Sequence, residues 1–491
     1  MNFADLFRVT LPETALEIAA LLVLVVDLAF LKKAKLATRV AVASLLGIAG
    51  CLASLVLLPG AGSTGVSFHG ELLLASGGFA AAAEAAILVL TLLTLLLFIG
   101  STFTRHAGEY VAVVLMAAAG GLVISAARDL LIIFVGLELL SLALYILTAF
   151  DKHSEKSSES ALKYYLFGGM AAAFLLFGFS YLYGLAGSTQ LSVVMERALF
   201  ATSHGGSPLV YVALVLVVAG LGFKVAAAPF HLWAPDAYEG APAPAAAFIA
   251  SASKVASFAL FASVGVAVVQ LPGTLALSTP WTQVLSVVAA LSLVIGNLAA
   301  LAQSNVRRLL AYSAVAHAGY MLLGIAFLGV SSRSVAAVLY YVITYGLTTI
   351  GAFGAIAVVE RATGSSSLEA FSGLYKRTPL LSAVLLVYFL SLAGIPPLVG
   401  FWAKFNLFAA VLSVGAGPVP FALVVLAIGM SAVSLYYYLR VLKRVFVVDA
   451  MDAAPLTLHP VTLLTLVAIA LAVVLCGCFP AILQNWIGSA F

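Results

Sequence analysis

The chain has 491 residues, of which 64% are apolar and only 9% are charged, and its formal net charge is +4. Soluble domains carry about 25% charged residues, so this composition excludes an ordinary water-soluble protein and indicates that the bilayer is the main solvent. The few ionised side chains form no dense basic patch, which excludes a nucleic-acid-binding protein. The three cysteines lie in apolar runs and are predicted to be ordinary packed residues rather than metal ligands: Cys51, Cys476 and Cys478.

A membrane-spanning helix needs about 20 mostly apolar residues, and the chain offers about fourteen such runs, which we number as spans 1 to 14. They lie near residues 11–31, 38–58, 78–99, 109–126, 128–150, 160–186, 207–233, 242–271, 281–301, 306–330, 333–360, 379–414, 418–446 and 459–480. We therefore predict an all-α polytopic membrane protein.

The basic residues predict how the spans are oriented, because short cytoplasmic loops carry an excess of Lys and Arg. If the loop after span 1, with its three lysines, is cytoplasmic, nearly all other loop lysines and arginines fall on the same side. The exceptions are Arg8, Arg128, Arg197 and Arg333. Both termini are then on the non-cytoplasmic side, and the polar stretch 151–160 is predicted to be a solvated cytoplasmic loop.

Prolines predict interruptions in two spans. Pro229 follows Lys224 by five residues in span 7, and span 12 contains Pro396 and Pro397, which remove backbone donors and clash with the preceding turn. Discontinuous helices are tolerated in a membrane where they line a cavity, and paired ones point to a transport site. Because the interruptions lie five spans apart, we predict two inverted five-helix repeats, spans 4–8 and 9–13.

These repeats divide the chain into four predicted parts. Three transmembrane helices occupy residues 1–108, the first repeat 109–271, the second repeat 281–446, and a C-terminal helix 447–491.

Four charged residues fall inside predicted spans: Glu138, Lys224, Lys254 and Lys404. At about 2.5 to 3.5 kcal/mol for each residue at the bilayer centre, the set costs on the order of 10 kcal/mol. An apolar residue would be cheaper at each position. The structural alternative is a set of ion pairs that lock helices together, but three lysines cannot all pair with one glutamate. We therefore interpret the set as functional.

Proton transfer is the chemistry that these residue types favour. Burial disfavours the charged form of a lysine and a nearby carboxylate favours it, so a Glu138–Lys224 pair that opens and closes would change the lysine's affinity for protons. His231 and His317 could relay protons, since histidine titrates nearest neutral pH. The alternative for each histidine is a neutral ring that is hydrogen-bonded between helices.

Five further charged residues are assigned with alternatives. Lys163 lies three residues into span 6, where it could either extend to the cytoplasmic interface or function. Asp27 and Glu84 are predicted to be structural or to face a partner. Asp236 and Glu239, beside the interruption at Pro229, could form an entrance or merely solvate a loop.

Sequence motifs for redox cofactors are absent. The chain has no glycine-rich dinucleotide fingerprint after a strand, no Walker sequence and no cysteine set for an iron-sulfur cluster. We predict that this chain itself holds no cofactor.

Several long motifs resemble those of the antiporter-like membrane subunits of respiratory complex I. They are GFKVAAAPFHLWAPDAYEGAPAP at 222–244, SASK at 251–254, GLELLSL at 136–142 and GIPPLVGFWAKF at 394–405. Pro-Phe-His at 229–231 occurs in looser form across the whole family, including Mrp-type cation/proton antiporters. The continuation after His231 and the Ser-Lys at 253–254 resemble more narrowly the subunit N family of NADH-quinone oxidoreductases. Lys404 speaks against subunit M, which usually has glutamate there.

The resemblance implies roles for the buried residues. Glu138 and Lys224 would form a pair, Lys254 would be the central relay, and Lys404 the terminal proton donor. His231 would join the relay, and His317 is a plausible contributor.

The resemblance also implies partners and a location. The partners would be the antiporter-like subunit M, small membrane subunits such as K, and a peripheral arm in which NADH, FMN, iron-sulfur clusters and quinone react. The location would be the inner (plasma) membrane of a bacterium. Two alternatives stay open: a subunit of an Mrp-type cation/proton antiporter, and a structural subunit that only fills the membrane arm.

Overall fold

A computed structural model of the chain describes residues 3–58, 64–68, 71–203, 208–269, 280–328, 332–414, 417–449 and 456–490. Helices make up almost all of these residues. The strands that it describes are β1 (Thr64–Phe68) and β2 (Glu71–Ser76), which pair as an antiparallel hairpin.

The helices before residue 225 are α1 (Phe3–Val9), α2 (Leu11–Val25), α3 (Leu36–Leu57), α4 (Gly78–Phe98), α5 (Ala107–Ala126), α6 (Leu130–Thr148), α7 (Glu155–Ala186), α8 (Leu191–Ser203) and α9 (Pro208–Lys224). The later helices are α10 (Trp233–Gly240), α11 (Ala243–Ala250), α12 (Ala252–Val269), α13 (Pro280–Leu301), α14 (Val306–Ala326), α15 (Ser332–Thr363), α16 (Leu374–Arg377), α17 (Pro379–Ala393), α18 (Val399–Ser413), α19 (Pro418–Phe446), α20 (Pro460–Cys478) and α21 (Pro480–Gly488). A π-helical turn, Val26–Phe30, continues α2, and a 3₁₀ turn, Leu368–Phe371, precedes α16.

Within the described residues, eleven helices are long and apolar enough to cross a membrane, with α11 and most of α12 forming one of them. Three shorter apolar helices are α9, α17 and α18. The prediction of an all-α membrane protein is therefore confirmed. The count of fourteen spans, the inverted repeats and the four-part division stay predictions. Residues 207, 270–271 and 329–330, at the predicted ends of spans 7, 8 and 10, lie outside the described residues.

Both spans with predicted interruptions are divided. In span 7, α9 ends at Lys224 and α10 begins at Trp233; in span 12, α17 ends at Ala393 and α18 begins at Val399. Proline lacks the backbone N–H that would continue each helix.

Two irregularities were not predicted from the sequence. Span 8 is divided at Ser251, between α11 and α12. The π-helical turn at Val26–Phe30 contains the buried Asp27. No proline marks either position, so the interruptions depend on tertiary contacts rather than on local sequence.

The predicted loop 151–160 is shorter than expected. The Ser154 side chain accepts a hydrogen bond from the backbone N–H of Ser157, so α7 begins at Glu155. A serine in this position satisfies one of the free N–H groups at a helix start. Lys163 is therefore well inside α7.

Close backbone contact joins α13 and α14. A Cβ atom added to Gly319 would lie 2.8 Å from the backbone nitrogen of Leu293 and 2.9 Å from the carbonyl oxygen of Ala289. Small residues at helix interfaces allow such approach in membranes. This contact fixes the position of α14, which carries His317.

We expect Gly319→Ala to destabilise the protein, because two backbones would have to separate. Overpacking of this kind costs about 1 to 3 kcal/mol. The measurement is the melting temperature of the detergent-purified protein. Gly429→Ala on α19 is the matched control, since a Cβ there would meet nothing within 4 Å. Equal melting temperatures for the two variants would contradict this account of the α13–α14 contact.

Candidate functional site

The three predicted membrane lysines are buried, with exposures of 9% for Lys224, 1% for Lys254 and 6% for Lys404. Each lies near a helix interruption. Lys224 is the last residue of α9, Lys254 is in the first turn of α12, and Lys404 is in the second turn of α18. Interruptions free backbone carbonyl groups, which an ammonium group can use as acceptors.

Lys404 shows this use directly. Its ammonium group donates to the carbonyl oxygen of Ala393 at 2.9 Å and to Ser431 Oγ at 2.8 Å. The residue four positions after Ala393 is Pro397, which has no N–H, so this carbonyl lacks its usual helical donor. The partial negative charge at the C-terminus of α17 also favours a cation there.

Lys254 is held by a neutral acceptor as well. Its ammonium group donates to the carbonyl oxygen of Ala314 on α14 at 2.7 Å and lies 5.4 Å from the centre of the Tyr345 ring. The contact ties α12 to the helix that carries His317. No ion pair to Lys254 occurs among the described residues.

The partner of Lys224 differs from the one that the sequence predicted. Its ammonium group donates to Ser141 Oγ on α6, and no carboxylate oxygen of Glu138 lies within the 4.0 Å of an ion pair. Glu138 is only partly buried. The predicted direct pair is therefore absent, because Ser141, three residues further along α6, takes the position next to the lysine. The GLELLSL motif contained this serine, but its hydroxyl carried no charge to mark it.

Tyrosines surround His317. Its Nδ1 lies 3.0 Å from the Tyr341 hydroxyl and its Nε2 3.3 Å from the Tyr438 hydroxyl. The Tyr438 hydroxyl lies a further 2.5 Å from Ser313 Oγ. These contacts fix the plane of the buried ring.

Two further tyrosines connect His317 with two of the lysines. The His317 ring centre lies 4.7 Å from that of Tyr345 and 5.7 Å from that of Tyr320. Tyr345 is the ring beside Lys254, and the Lys404 ammonium group lies 5.2 Å from the Tyr320 ring. We call Lys254, Tyr345, His317, Tyr320 and Lys404 the central row. Sequence reasoning named its lysines and histidine but missed its tyrosines.

A small cavity of about 10 Å³ lies beside the central row, between His317 and the interruption of span 12. Its polar lining comes from the hydroxyl groups of Thr344, Thr348 and Ser391 together with two tyrosines. This volume is at the lower limit for one water molecule, and the lining supplies the partners that a water needs.

His231 is buried in the non-helical segment between α9 and α10. Its Nδ1 has no hydrogen-bond partner among the described residues, and its ring centre lies 6.2 Å from that of Tyr312. It makes no hydrogen bond to the three lysines. The structure therefore places His231 at the interruption of span 7 but outside the central row.

Asp236 and Glu239 lie on α10 and not on a loop. Arg308 contacts both of them, Asp236 at 2.6 Å and Glu239 at 3.0 Å. Lys163 on α7 pairs with Asp236 at 3.0 Å and Lys156 with Glu239 at 3.3 Å. We call this end of the helix bundle the ion-pair end. Lys163 thus joins α7 to α10 rather than only extending to the interface.

A cavity of about 280 Å³ opens at the ion-pair end. Charged side chains in its wall include Lys156, Glu239, Arg307 and Glu360, and the connection from Gly240 to Pro244 forms another part. The cavity therefore reaches the segment that joins spans 7 and 8.

Asp27 has the contacts of a structural residue. It is 1% exposed, pairs with Arg39 at 2.5 Å and accepts a hydrogen bond from the backbone N–H of Gly108 at 3.1 Å. Within the described part of the chain, no group of three or more His, Cys, Asp or Glu residues could hold a metal ion.

Trp233 holds the two halves of span 7 together. Its Nε1 donates to the carbonyl oxygen of Phe223, near the end of α9, at 2.9 Å. Its ring stacks on Tyr164 of α7, with ring centres 4.1 Å apart and an interplanar angle of 1°. The interruption beside Lys224 is thus a defined structure.

Comparison with known proteins identifies relatives over nearly the whole chain. A family model described as NADH:quinone oxidoreductase/Mrp antiporter, TM, matches residues 127–433. The NADH-quinone oxidoreductase subunit N 2 of Acidobacterium capsulatum is 49% identical, over 99% of each chain.

Solved structures show the same fold. A chain of respiratory complex I from Thermus thermophilus with bound aureothin is 35% identical, with a TM-score of 0.78 over 96% of this chain and 98% of that one. A chain of the Mrp complex from Dietzia is 22% identical, with a TM-score of 0.79 over 100% of this chain and 97% of that one, a likeness of fold alone.

We expect Trp233→Phe to loosen the interruption of span 7, because the ring stays while the hydrogen bond to Phe223 is lost. A buried hydrogen bond contributes about 1 kcal/mol, so amide hydrogen exchange in residues 222–233 should accelerate about fivefold. Trp281→Phe is the matched control, since the Nε1 of Trp281 has no hydrogen-bond partner among the described residues. Unchanged exchange in Trp233→Phe would show that stacking alone holds the segment.

Proposed function

Since the chain belongs to the subunit N family of NADH-quinone oxidoreductases, we propose that it is a membrane-arm subunit that moves protons while other subunits transfer electrons. Identity at nearly full length to a curated subunit N supports this assignment. The description of the family model also names Mrp antiporters, and the model matches part of each predicted repeat.

The central row is the observation that carries the proposal. Lys254 and Lys404 are buried, and hydrogen bonds to neutral oxygens hold both ammonium groups. A neutral acceptor stabilises an ammonium group less than a carboxylate does, so proton exchange is easier here than in a fixed ion pair. His317 between them supplies a group that can both accept and donate a proton.

The proposed path begins at the ion-pair end. Protons enter through the cavity lined by Glu239 and Glu360, which reaches the connection between spans 7 and 8. They then pass the interruption that contains Lys224 and His231, and continue along the central row to Lys404. Between the protein groups, ordered water would carry the protons.

Glu138 is proposed to couple this path to a neighbouring subunit. It is partly buried on the same face of α6 as Val135 and Leu142, whose side chains are exposed. A carboxylate on a membrane-facing surface is costly in lipid, so a partner subunit covers it. A partner that shifts the Glu138 charge would then change the environment of Lys224, because the two groups interact electrostatically.

The partners, cofactors and location follow from the family. We propose that the neighbours are an antiporter-like subunit M and small subunits such as K, and that the peripheral arm supplies NADH oxidation, FMN, iron-sulfur clusters and quinone. The chain would lie in a bacterial inner membrane, with the ion-pair end cytoplasmic and both termini on the other side.

Purification in mild detergent separates this function from that of an Mrp-type antiporter. Recovery of the chain with flavin- and iron-sulfur-containing subunits supports the proposed function. A purely membranous assembly without redox subunits would overturn it in favour of cation/proton exchange.

We expect Lys224→Ala and Glu138→Ala to lower the number of protons pumped per NADH oxidised in the assembled complex. A positioned proton-transfer group contributes about 100-fold or more, so flux through this subunit should nearly cease. Ferricyanide reduction by the peripheral arm should persist. Lys376→Met is the matched control, since Lys376 is exposed and pairs with Asp449. Normal pumping in correctly assembled Lys224→Ala complex would sink the assigned role.

We also expect Tyr341→Phe to reduce pumping, because Nδ1 of His317 loses its hydroxyl partner. The lost hydrogen bond contributes about 1 kcal/mol, which should lower the rate of proton transfer through His317 about fivefold. The measurement is the pumping rate at saturating NADH. Tyr340→Phe is the control, because the neighbouring Tyr340 hydroxyl is buried without a partner among the described residues. Equal rates in both variants would remove His317 from the path.

A further inference from the structure

Three ionisable groups outside the central row lie on or beside helices that contact one another, since α2 and α4 both pack on α5. Glu13 is in the first turn of α2, Glu84 in the second turn of α4, and Arg128 between α5 and α6. Glu84 is 1% exposed and Glu13 7% exposed, whereas Arg128 is partly exposed. The Glu84 carboxyl interacts electrostatically with both Glu13 and Arg128.

Neither carboxyl group has its full set of partners. Oε2 of Glu13 and Oε2 of Glu84 are both buried without a hydrogen-bond partner among the described residues. Arg128 donates to the backbone carbonyl oxygens of Ser125 at 3.2 Å and Ala127 at 2.7 Å, and it forms no ion pair within 4.0 Å with either glutamate. The guanidinium group therefore supplies a nearby charge but no direct contact.

The charges of the three groups do not balance when all are ionised. Two carboxylates and one guanidinium group leave one negative charge, which burial disfavours. Glu17, which also acts on the Glu13 carboxyl, is exposed and adds no buried charge. Arginine keeps its proton in proteins, so one proton shared by the two carboxyl groups makes the cluster neutral. A metal ion would add charge beside a guanidinium group that is already positive.

The groups lie at the end of the bundle opposite the ion-pair end. We call it the hairpin end, because α1 packs on the hairpin there. Val9, Val66, Leu74 and Ala126 form a separate apolar cluster at this end. The backbone N–H of Arg128 donates to the carbonyl oxygen of Leu73 at 2.9 Å. Arg128 is thus the member of the cluster that is bonded to the hairpin.

We propose that Glu13, Glu84 and Arg128 form a site that binds one exchangeable proton at the hairpin end. Because α4 packs against α12 and α15, which carry Lys254 and Tyr345, the site adjoins the helices of the central row. Its use as the release group for translocated protons rests on the proposed function. The binding of a proton at this site does not depend on the proposed function.

Infrared difference spectroscopy of the purified complex tests proton binding. The wild-type complex should show the C=O stretch of a protonated carboxyl that shifts between H₂O and D₂O, and Glu84→Gln should lack it. Glu13→Gln should lack it too, because the remaining carboxylate and Arg128 then balance. Glu196→Gln is the control, since Glu196 is exposed on α8 at the same end.

Arg128→Gln should change the infrared carboxyl band in the opposite direction. Without the guanidinium charge, both carboxyl groups need a proton to be neutral, so the carboxyl band should grow. A band that is the same in wild type, Glu84→Gln and Arg128→Gln would overturn the site, and so would a band that does not shift in D₂O.

Proton pumping tests the role in translocation separately. Glu84→Gln should lower the number of protons pumped per NADH while Glu196→Gln leaves it unchanged. A lost band with unchanged pumping would overturn the release role and leave the proton site standing. Normal pumping in Lys224→Ala would instead overturn the proposed function, whatever the infrared result.

Discussion

A polar group inside a membrane protein must find its partner within the protein, and this constraint shapes the whole site. Proline in spans 7 and 12 removes backbone donors, which leaves carbonyl groups without helical partners. In span 12 the chain places a cationic side chain there. The carbonyl oxygen of Ala393, whose usual donor would be Pro397, accepts a hydrogen bond from Lys404. The interruption therefore satisfies two groups at once. The carbonyl group without a helical donor gains a donor, and the buried ammonium group gains the acceptor that it requires.

The charged groups of the chain divide into two kinds by their partners. Asp27 and Arg39 form a close ion pair that also fixes the backbone of Gly108, and Arg308 lies between two carboxylates. Such groups join helices. Lys254 and Lys404 have only hydroxyl and carbonyl acceptors and a nearby aromatic ring. The absence of a carboxylate in these contacts, rather than burial alone, distinguishes the lysines that we propose to exchange protons from the charged groups that join helices.

The sequence predicted what depends on composition and on proline. Three features follow from the free-energy costs of individual residues, which do not depend on the neighbouring helices. They are the apolar runs, the division of spans 7 and 12, and the burial of three lysines. The division at Ser251 and the contact between Lys224 and Ser141 could not be predicted this way, because each depends on which helix lies alongside. The tyrosines of the central row were missed for a related reason. In a chain with 18 tyrosines, a single ring carries no signal until the fold brings it between His317 and a lysine.

The two ends of the bundle differ in how their charges are satisfied, and this difference gives the proposed path a direction. At the ion-pair end, Asp236 and Glu239 contact basic side chains, and Glu239 also borders an open cavity. At the hairpin end, Glu13 and Glu84 are buried, and each has a carboxyl oxygen without a hydrogen-bond partner among the described residues. A charged, open mouth favours rapid exchange with solvent, whereas buried carboxyl groups without partners favour holding a proton. The proposed path would therefore take up protons readily at one end and release them less readily at the other.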